Sequence, residues 1–269
     1  MTITNSMQVV GKVNFNFIKL EVSNHVATLT LNRPEVLNAL NRLMVDEIDA
    51  AADMIARNKD IRVVVLTGAG KHFAAGADVN DMVQMVPEEA RNFAFGSTFN
   101  KLEQLPQPVI AAVKGYALGA GFEIALAADI RLAGNSARFG LPEINLGIMP
   151  GAGGTQRLPR LIGSAQAKEL IFLGHHIDAS TALKLGLVNR IVADDELLDE
   201  AYIMAEKIAI KPPLALQMAK RTVNIGLNLD IKSGTELETI SWADLFATED
   251  QKEGMKAFLE KRKPNFSGR

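Results

Sequence analysis

Cysteine is absent from the 269 residues, so no disulfide, thiol nucleophile or thiolate metal site is available. That absence suits a reducing compartment. Histidine is scarce: His25, His72, His175 and His176 are the whole supply. Adjacent side chains such as His175 and His176 diverge on regular structure, so no metal site is expected. No stretch of 18 apolar residues occurs; the nearest, residues 116–128, is short and contains Glu123. Residues 1–17 are polar and mixed, with no apolar run before a small-residue cleavage site. No Arg precedes Arg33, so an Arg-rich transit peptide is not visible. These features predict a cytoplasmic protein without a membrane partner, a processed organellar form being the alternative. Charge of one sign is also lacking. Lys and Arg number 29 against 31 Asp and Glu, a net charge of −2, which gives no basic footprint for nucleic acid.

What is present is an ordinary globular composition, 48% hydrophobic and 22% charged, long enough for one large core. Residues 15–22 and 26–31 read as two strands around a Ser23-Asn24-His25 turn, and residues 61–66 and 108–113 as buried strands. Residues 41–57 read as a helix, with Met44, Ile48, Ala51, Ala52 and Ile55 on one face. Pro87 followed by Glu88 and Glu89 opens another helix. A further strand and helix follow over residues 116–132. From Asp194 the chain turns helical, with Leu197, Ala201, Met204 and Ile208 on one face and Pro213 opening the next helix. The expected organisation is an α/β core of recurring strand–strand–helix units over residues 1–193 and a helical region over residues 194–269.

Two carboxylates stand out. Neither Glu123 nor Glu143 has a charged residue within four positions on either side. A lone carboxylate in apolar sequence is costly to bury unless it is hydrogen-bonded or holds its proton. A pKa raised toward neutrality is what a general acid or base needs. Each taken alone reads equally well as a solvent-facing residue at an element's edge. Three small-residue loops supply a second ingredient: Ala74-Ala75-Gly76-Ala77-Asp78, residues 115–121, and Pro150-Gly151-Ala152-Gly153-Gly154-Thr155. Small residues let a ligand approach backbone N–H groups, which bind anions or stabilise an oxyanion; they equally serve tight helix–sheet packing.

Other chemistries find little support. Gly119-Ala120-Gly121 follows a strand and opens a helix, but position 124 is Ile where the dinucleotide fingerprint needs Gly or Ala. Gly68-Ala69-Gly70-Lys71 lacks phosphate-loop spacing, and no G-x-S-x-G elbow exists. His72 reads as a structural or surface residue and Lys261-Arg262-Lys263 as a solvated helix end. Trp242 and Phe246, at i and i+4, read as core or interface.

An ordered set of segments nonetheless resembles the crotonase (enoyl-CoA hydratase/isomerase) superfamily, and within it the short-chain enoyl-CoA hydratases. The set comprises Leu31-Asn32-Arg33-Pro34 with Asn38-Ala39-Leu40, Val65-Leu66-Thr67-Gly68, and Phe73 through Asp78. It continues with residues 108–113 leading into Gly115-Tyr116-Ala117-Leu118-Gly119, then Phe139 with Pro142-Glu143, residues 150–158, and the tail from Phe246 to Lys263. The likeness runs from about residue 16 to the end.

The resemblance implies a ClpP-like spiral of ββα units, a helical C-terminal region that builds trimers or hexamers, and an acyl-CoA thioester substrate. The activity implied is reversible addition of water across the 2,3 double bond of a 2-enoyl-CoA, in fatty acid β-oxidation or a related acyl-CoA pathway. It implies no separate cofactor, since coenzyme A is part of the substrate. By the same resemblance Glu123 and Glu143 are the catalytic pair, and the backbone N–H groups of Ala77 and Ala120 form the oxyanion hole. Leu37, Ala39 and Ala75 lie at the adenine end. Gly76, Asp78, Val79, Asn80, Gly119, Pro142 and Gly151 complete this chain's share of the binding site, while Phe258 and Lys261 reach a neighbouring subunit's CoA site. Ala120 stands where many relatives carry Gly, and Leu141 where some hydratases carry Gln. The alternatives are an enoyl-CoA isomerase, a hydratase for a branched, cyclic or aromatic acyl-CoA, or a non-catalytic or RNA-binding protein of the same fold.

Overall fold

A computed structural model describes residues 15–269; the reading of the N-terminal start as non-targeting falls largely on residues 1–14, outside them. Strands β1 (Ile18–Ser23) and β2 (Val26–Leu31) pair antiparallel, Ser23 opposite Val26. Asn24 and His25, both at positive φ, make the tight turn, and such a turn matches strand twist. Helix α1 (Arg42–Arg57) starts where Asn41 Oδ1 accepts the Met44 N–H at 2.9 Å. Its buried face is Met44, Val45, Ile48, Ala51, Ala52 and Ile55, as the periodicity predicts.

Beyond α1 the chain runs through β3 (Val63–Gly68), the short helices α2 (Val79–Met82) and α3 (Pro87–Phe93), and α4 (Gly96–Glu103). Next come β4 (Val109–Val113), β5 (Tyr116–Leu118), α5 (Ala120–Leu126), β6 (Ile130–Gly134) and β7 (Arg138–Gly140). A 3-10 turn (Pro142–Leu146) leads to α6 (Gly154–Ile162), α7 (Ser164–Leu173), β8 (Ile177–Asp178), α8 (Ala179–Lys184) and β9 (Arg190–Val192).

The strands form two sheets. The larger has the order β1-β2-β3-β4-β6-β9 and is parallel from β2 onward. The smaller has the order β5-β7-β8. Parallel bridges from Leu40 to Ala77 and from Ala74 to Ala117 extend it toward the start of the chain. Each circuit therefore places a strand in the large sheet, a short extended segment in the small layer, and a helix. The second-layer segments are Leu40, then Ala74 to Ala77, then β5, then β7. This is the expected ββα spiral.

Both faces of the large sheet are covered, which is why β4 and the Val63–Leu66 part of β3 read as continuous apolar runs. One face carries Leu29, Leu31, Val64, Leu66, Ala111 and Val113 into the main core. The other carries Val26, Val63, Val65, Ile110, Ala112 and Leu132 against α9 (Leu197–Ala209). The seam of α9 is Leu197, Ala201, Ala205 and Ala209, with Met204 and Ile208 only flanking it. Small residues let the helix lie close, a preference that apolar periodicity alone does not rank.

Strands end at Val192, and α10 (Pro213–Gly226), α11 (Ile231–Asp244) and α12 (Glu249–Leu259) follow α9. Trp242 and Phe246 pack edge to face, ring centroids 4.7 Å apart, yet are 61% and 41% exposed; they are not core residues of this chain. Among the described residues no helix is long and apolar enough to cross a membrane.

Candidate active site

Glu123 lies in the first turn of α5, which begins as the chain leaves β5 through Gly119. Its side chain is driven inward by the surrounding apolar helix, and the residue is 2% exposed. The carboxylate is not orphaned. Its Oε1 accepts the N–H of Ala152 at 2.8 Å and of Gly154 at 2.7 Å. Burial pushes the Glu123 carboxyl above the usual range, opposed by these two amides and by the Arg157 guanidinium.

Glu143 enters from the next circuit, on the 3-10 turn after β7, where Pro142 starts the turn and Gly147 ends it at φ +76°. Asn145 ties the turn down by donating to the Gly174 carbonyl at 3.2 Å. One carboxylate oxygen of Glu143, Oε2, is buried with no hydrogen-bond partner among the described residues. Burial pushes the group up to about 7, and the charge of Glu123 pushes the same way. Two carboxylates thus face one space, the first held by amides and the second inclined to keep its proton.

The sharp turn into α5 leaves the Ala120 N–H without a protein acceptor among the described residues, as is usual for a first-turn amide. Ala77 reaches the same condition by another route. In its bridge with Leu40 the ladder bonds are Leu40 N–H to Gly76 C=O and Asp78 N–H to Leu40 C=O, both 2.8 Å. The intervening Ala77 N–H points to the other side and has no acceptor among the described residues.

A cavity of about 370 Å³ gathers these groups. It is lined by Ala75, Gly76, Ala77, Val79, Gly119, Ala120, Glu123, Pro142, Glu143 and Gly151, all singled out from the sequence. Leu37 and Ala39 sit outside the lining, although the Leu37 carbonyl accepts the Ala75 N–H at 3.0 Å. Asp78 and Asn80 are also outside it. Asp78 caps α2 through Asn80 and pairs with Arg33 at 3.3 Å; against partial burial, the Asn80 hydrogen bonds and then Arg33 hold its carboxyl below the usual range. Phe258, 83% exposed, and Lys261 lie at the end of α12 and line no part of this chain's cavity. His72 stacks on Tyr116 and accepts its N–H at 3.1 Å, a structural role. Arg262 is engaged by Glu253 and Glu260. Among the described residues no three His, Asp or Glu side chains gather as metal ligands.

Sequence reasoning missed the apolar half of the cavity: Met82, Met85, Phe93, Phe95, Leu146, Ile148 and Met149. The available signal was an excess of Met and Val over residues 79–86 and apolar residues at 146–149, in segments too short to belong to a core helix. It also missed Arg157, whose side chain is 10% exposed and lies behind Glu123.

Comparison with known proteins bears on the fold and the family. A model of the enoyl-CoA hydratase/isomerase family matches residues 21–269. A short-chain-enoyl-CoA hydratase of Clostridium acetobutylicum is 46% identical over 254 residues, covering 93% of this chain and 97% of that protein. A crotonyl-CoA hydratase of Syntrophomonas wolfei is 45% identical, covering 93% and 97%. The crystal structure of an enoyl-CoA hydratase from Bacillus anthracis superposes with a TM-score of 0.90 at 42% identity, covering 94% of this chain and all of that one. With the two-layer spiral and a cavity holding two carboxylates, these matches place the chain in the enoyl-CoA hydratase/isomerase family.

Proposed function

We propose that the protein is an enoyl-CoA hydratase, which adds water reversibly across the 2,3 double bond of a 2-enoyl-CoA to give a 3-hydroxyacyl-CoA. The observation that carries this reading is the sharing of one cavity by Glu123 and Glu143 beside the N–H groups of Ala77 and Ala120, which have no acceptor among the described residues. Its setting is fatty acid β-oxidation or a related acyl-CoA pathway.

The chemistry follows from the charges. Water adds to the β-carbon only if the thioester carbonyl takes up the electron pair. Two amides aimed at that oxygen, Ala77 and Ala120, stabilise the enolate, each worth about 3 kcal/mol. Glu123, ionised and fixed by Ala152 and Gly154, accepts a proton from the attacking water. Glu143, protonated, donates its proton to the α-carbon and helps hold the water. Positioned acid and base groups contribute roughly 10²–10⁴ in rate. No electron leaves the substrate, so the chemistry invokes no redox group, and coenzyme A arrives as part of the substrate.

Leu37, Ala39 and Ala75 take the adenine end, with Gly76, Asp78, Val79, Asn80, Gly119, Pro142 and Gly151 completing the site in this chain. Residues 194–269 form the oligomerisation region of a trimer or a hexamer of paired trimers. Trp242 and Phe246, exposed and in ring contact, support that assembly, since contiguous exposed apolar side chains mark interfaces. A cytoplasmic setting agrees with the absence of cysteine.

The test is incubation with crotonyl-CoA, followed by the loss of absorbance of the conjugated thioester. Rapid turnover, abolished by Glu123→Gln and by Glu143→Gln, is expected. Negligible turnover beside rapid conversion of a 3-enoyl-CoA or of a branched or aromatic ester would replace this reading with the corresponding relative. Biological activity untouched in both variants would replace it with a non-catalytic role.

A further inference from the structure

We infer that Arg157 is a positioning residue for Glu123, acting through the backbone of Ala152; this rests on the reading that Glu123 activates the water. The segment from Gly151 to Gly154 carries no side chain larger than a methyl group, so it has no anchor of its own. Gly153 adopts φ +111°, a backbone state that fixes nothing by side-chain packing. Yet this segment supplies both amides that hold Glu123 Oε1.

The anchor comes from α6. Arg157 Nη1 donates to the Ala152 carbonyl at 3.1 Å. The same residue, Ala152, therefore has its C=O held by Arg157 and its N–H on Glu123. The guanidinium is fixed on its far side by α4. Nη2 donates to Asn100 Oδ1 at 2.6 Å, and Nε and Nη2 make a two-pronged pair with Glu103 at 3.2 and 2.8 Å. A planar guanidinium serves all three acceptors at once, which an ammonium cannot. The rigid path runs from α4 through Arg157 and Ala152 to the carboxylate.

A second effect runs through charge. The charged groups facing Glu123 are Glu143, from the 3-10 turn, and Arg157, from α6, the latter paired with Glu103. Arg157 favours the ionised form of Glu123 directly, and its hold on Ala152 favours that form again through the amides.

The test compares wild type, Arg157→Lys, Arg157→Met and Glu103→Gln, with crotonyl-CoA as substrate and Glu123→Gln as control. Arg157→Lys keeps the charge and loses the fork. It should lower kcat about 10- to 100-fold with KM within about twofold, as expected for a misplaced catalytic group. The acid limb of the pH profile, set by Glu123, should move to higher pH in Arg157→Met, which loses both the charge and the hold on Ala152; Glu103→Gln keeps the positive charge but frees the guanidinium, so it should lower kcat without that upward shift. Should Arg157→Met fail to fold, the kcat values of Arg157→Lys and Glu103→Gln decide. A drop in thermal stability with kcat and the acid limb unchanged would reduce Arg157 to a structural residue and overturn the proposal, as would a rise in KM alone. A wild type inert toward crotonyl-CoA, or an active Glu123→Gln, would instead remove the functional reading beneath it.

Discussion

A methyl group built on Gly119 would lie 3.1 Å from Oε1 of Glu143, closer than most real contacts of that kind. Gly119 also adopts φ +50°, ψ −128°, a conformation open to glycine. At the hinge that turns β5 into α5, and so aims the Ala120 N–H, a side chain would therefore press on the second carboxylate, which must give by a few tenths of an ångström. Gly119→Ala should cost about 1–3 kcal/mol in backbone strain and displace Glu143 or the α5 amides. The expected outcome is a fall in kcat of about 10²-fold in a folded protein, read by steady-state kinetics beside circular dichroism. Undiminished kcat would show that the contact does not position the site.

Glu123→Gln and Glu143→Gln should each lower hydration by about 10²–10⁴, while affinity for a saturated acyl-CoA stays within about threefold by calorimetry. Hydration needs Glu123 ionised and Glu143 protonated, and dehydration needs the converse. Both directions thus use a pair that carries one proton, so their kcat/KM profiles should coincide. Activity should fall on the alkaline side near pH 7, where Glu143 gives up its proton. A flat profile through that region would contradict the assignment.

The same shift makes a stability prediction. Glu143 holds its proton more tightly folded, to about 7, than its ordinary 4.5. The folded state then binds more protons between these values, so the group's contribution is full below 4.5 and is lost as pH rises through 7. Glu143→Gln cannot ionise and should be the more stable protein at about pH 8, by on the order of 1–2 kcal/mol after allowing for its solvent contact. The gap should close toward about pH 5 in urea unfolding. A variant less stable at both values would reject this.

Lys220 on α10 reaches the start of β4, where its Nζ lies 2.8 Å from Asp129 Oδ2 and 3.0 Å from the Gln107 carbonyl. The same carboxylate oxygen accepts the Val109 N–H at 2.7 Å. Burial lowers the Lys220 pKa, and Asp129 counters it. Lys220→Ala leaves that carboxylate short of its partner and should cost about 2–4 kcal/mol in chemical denaturation. Lys220→Met with Asp129→Asn should recover part of the loss.

Phe258 and Lys261 line no part of this chain's cavity and project from the end of α12. If they serve a neighbouring subunit's CoA, Lys261→Ala and Phe258→Ser should each raise KM about fivefold, roughly 1 kcal/mol, with kcat retained. Sizing of the wild type should then report trimers or hexamers. A monomer with full activity would remove this role.

Local chemistry was readable from residues alone. The Asn24-His25 turn, the face of α1 and the apolar runs of β3 and β4 are set by neighbours in sequence, so periodicity and turn preference declare them. Two lone carboxylates in apolar surroundings marked Glu123 and Glu143, and small residues marked the loops. Their meeting in one cavity was not readable. The two residues stand twenty positions apart on successive circuits of the spiral, and only stacking of those circuits faces them together. The Arg157 path was likewise hidden, because its acceptors on α4 lie more than fifty positions earlier in the chain. Sequence records what each residue prefers near itself. Which amide, guanidinium or methionine stands opposite is decided when long-range packing closes the loops.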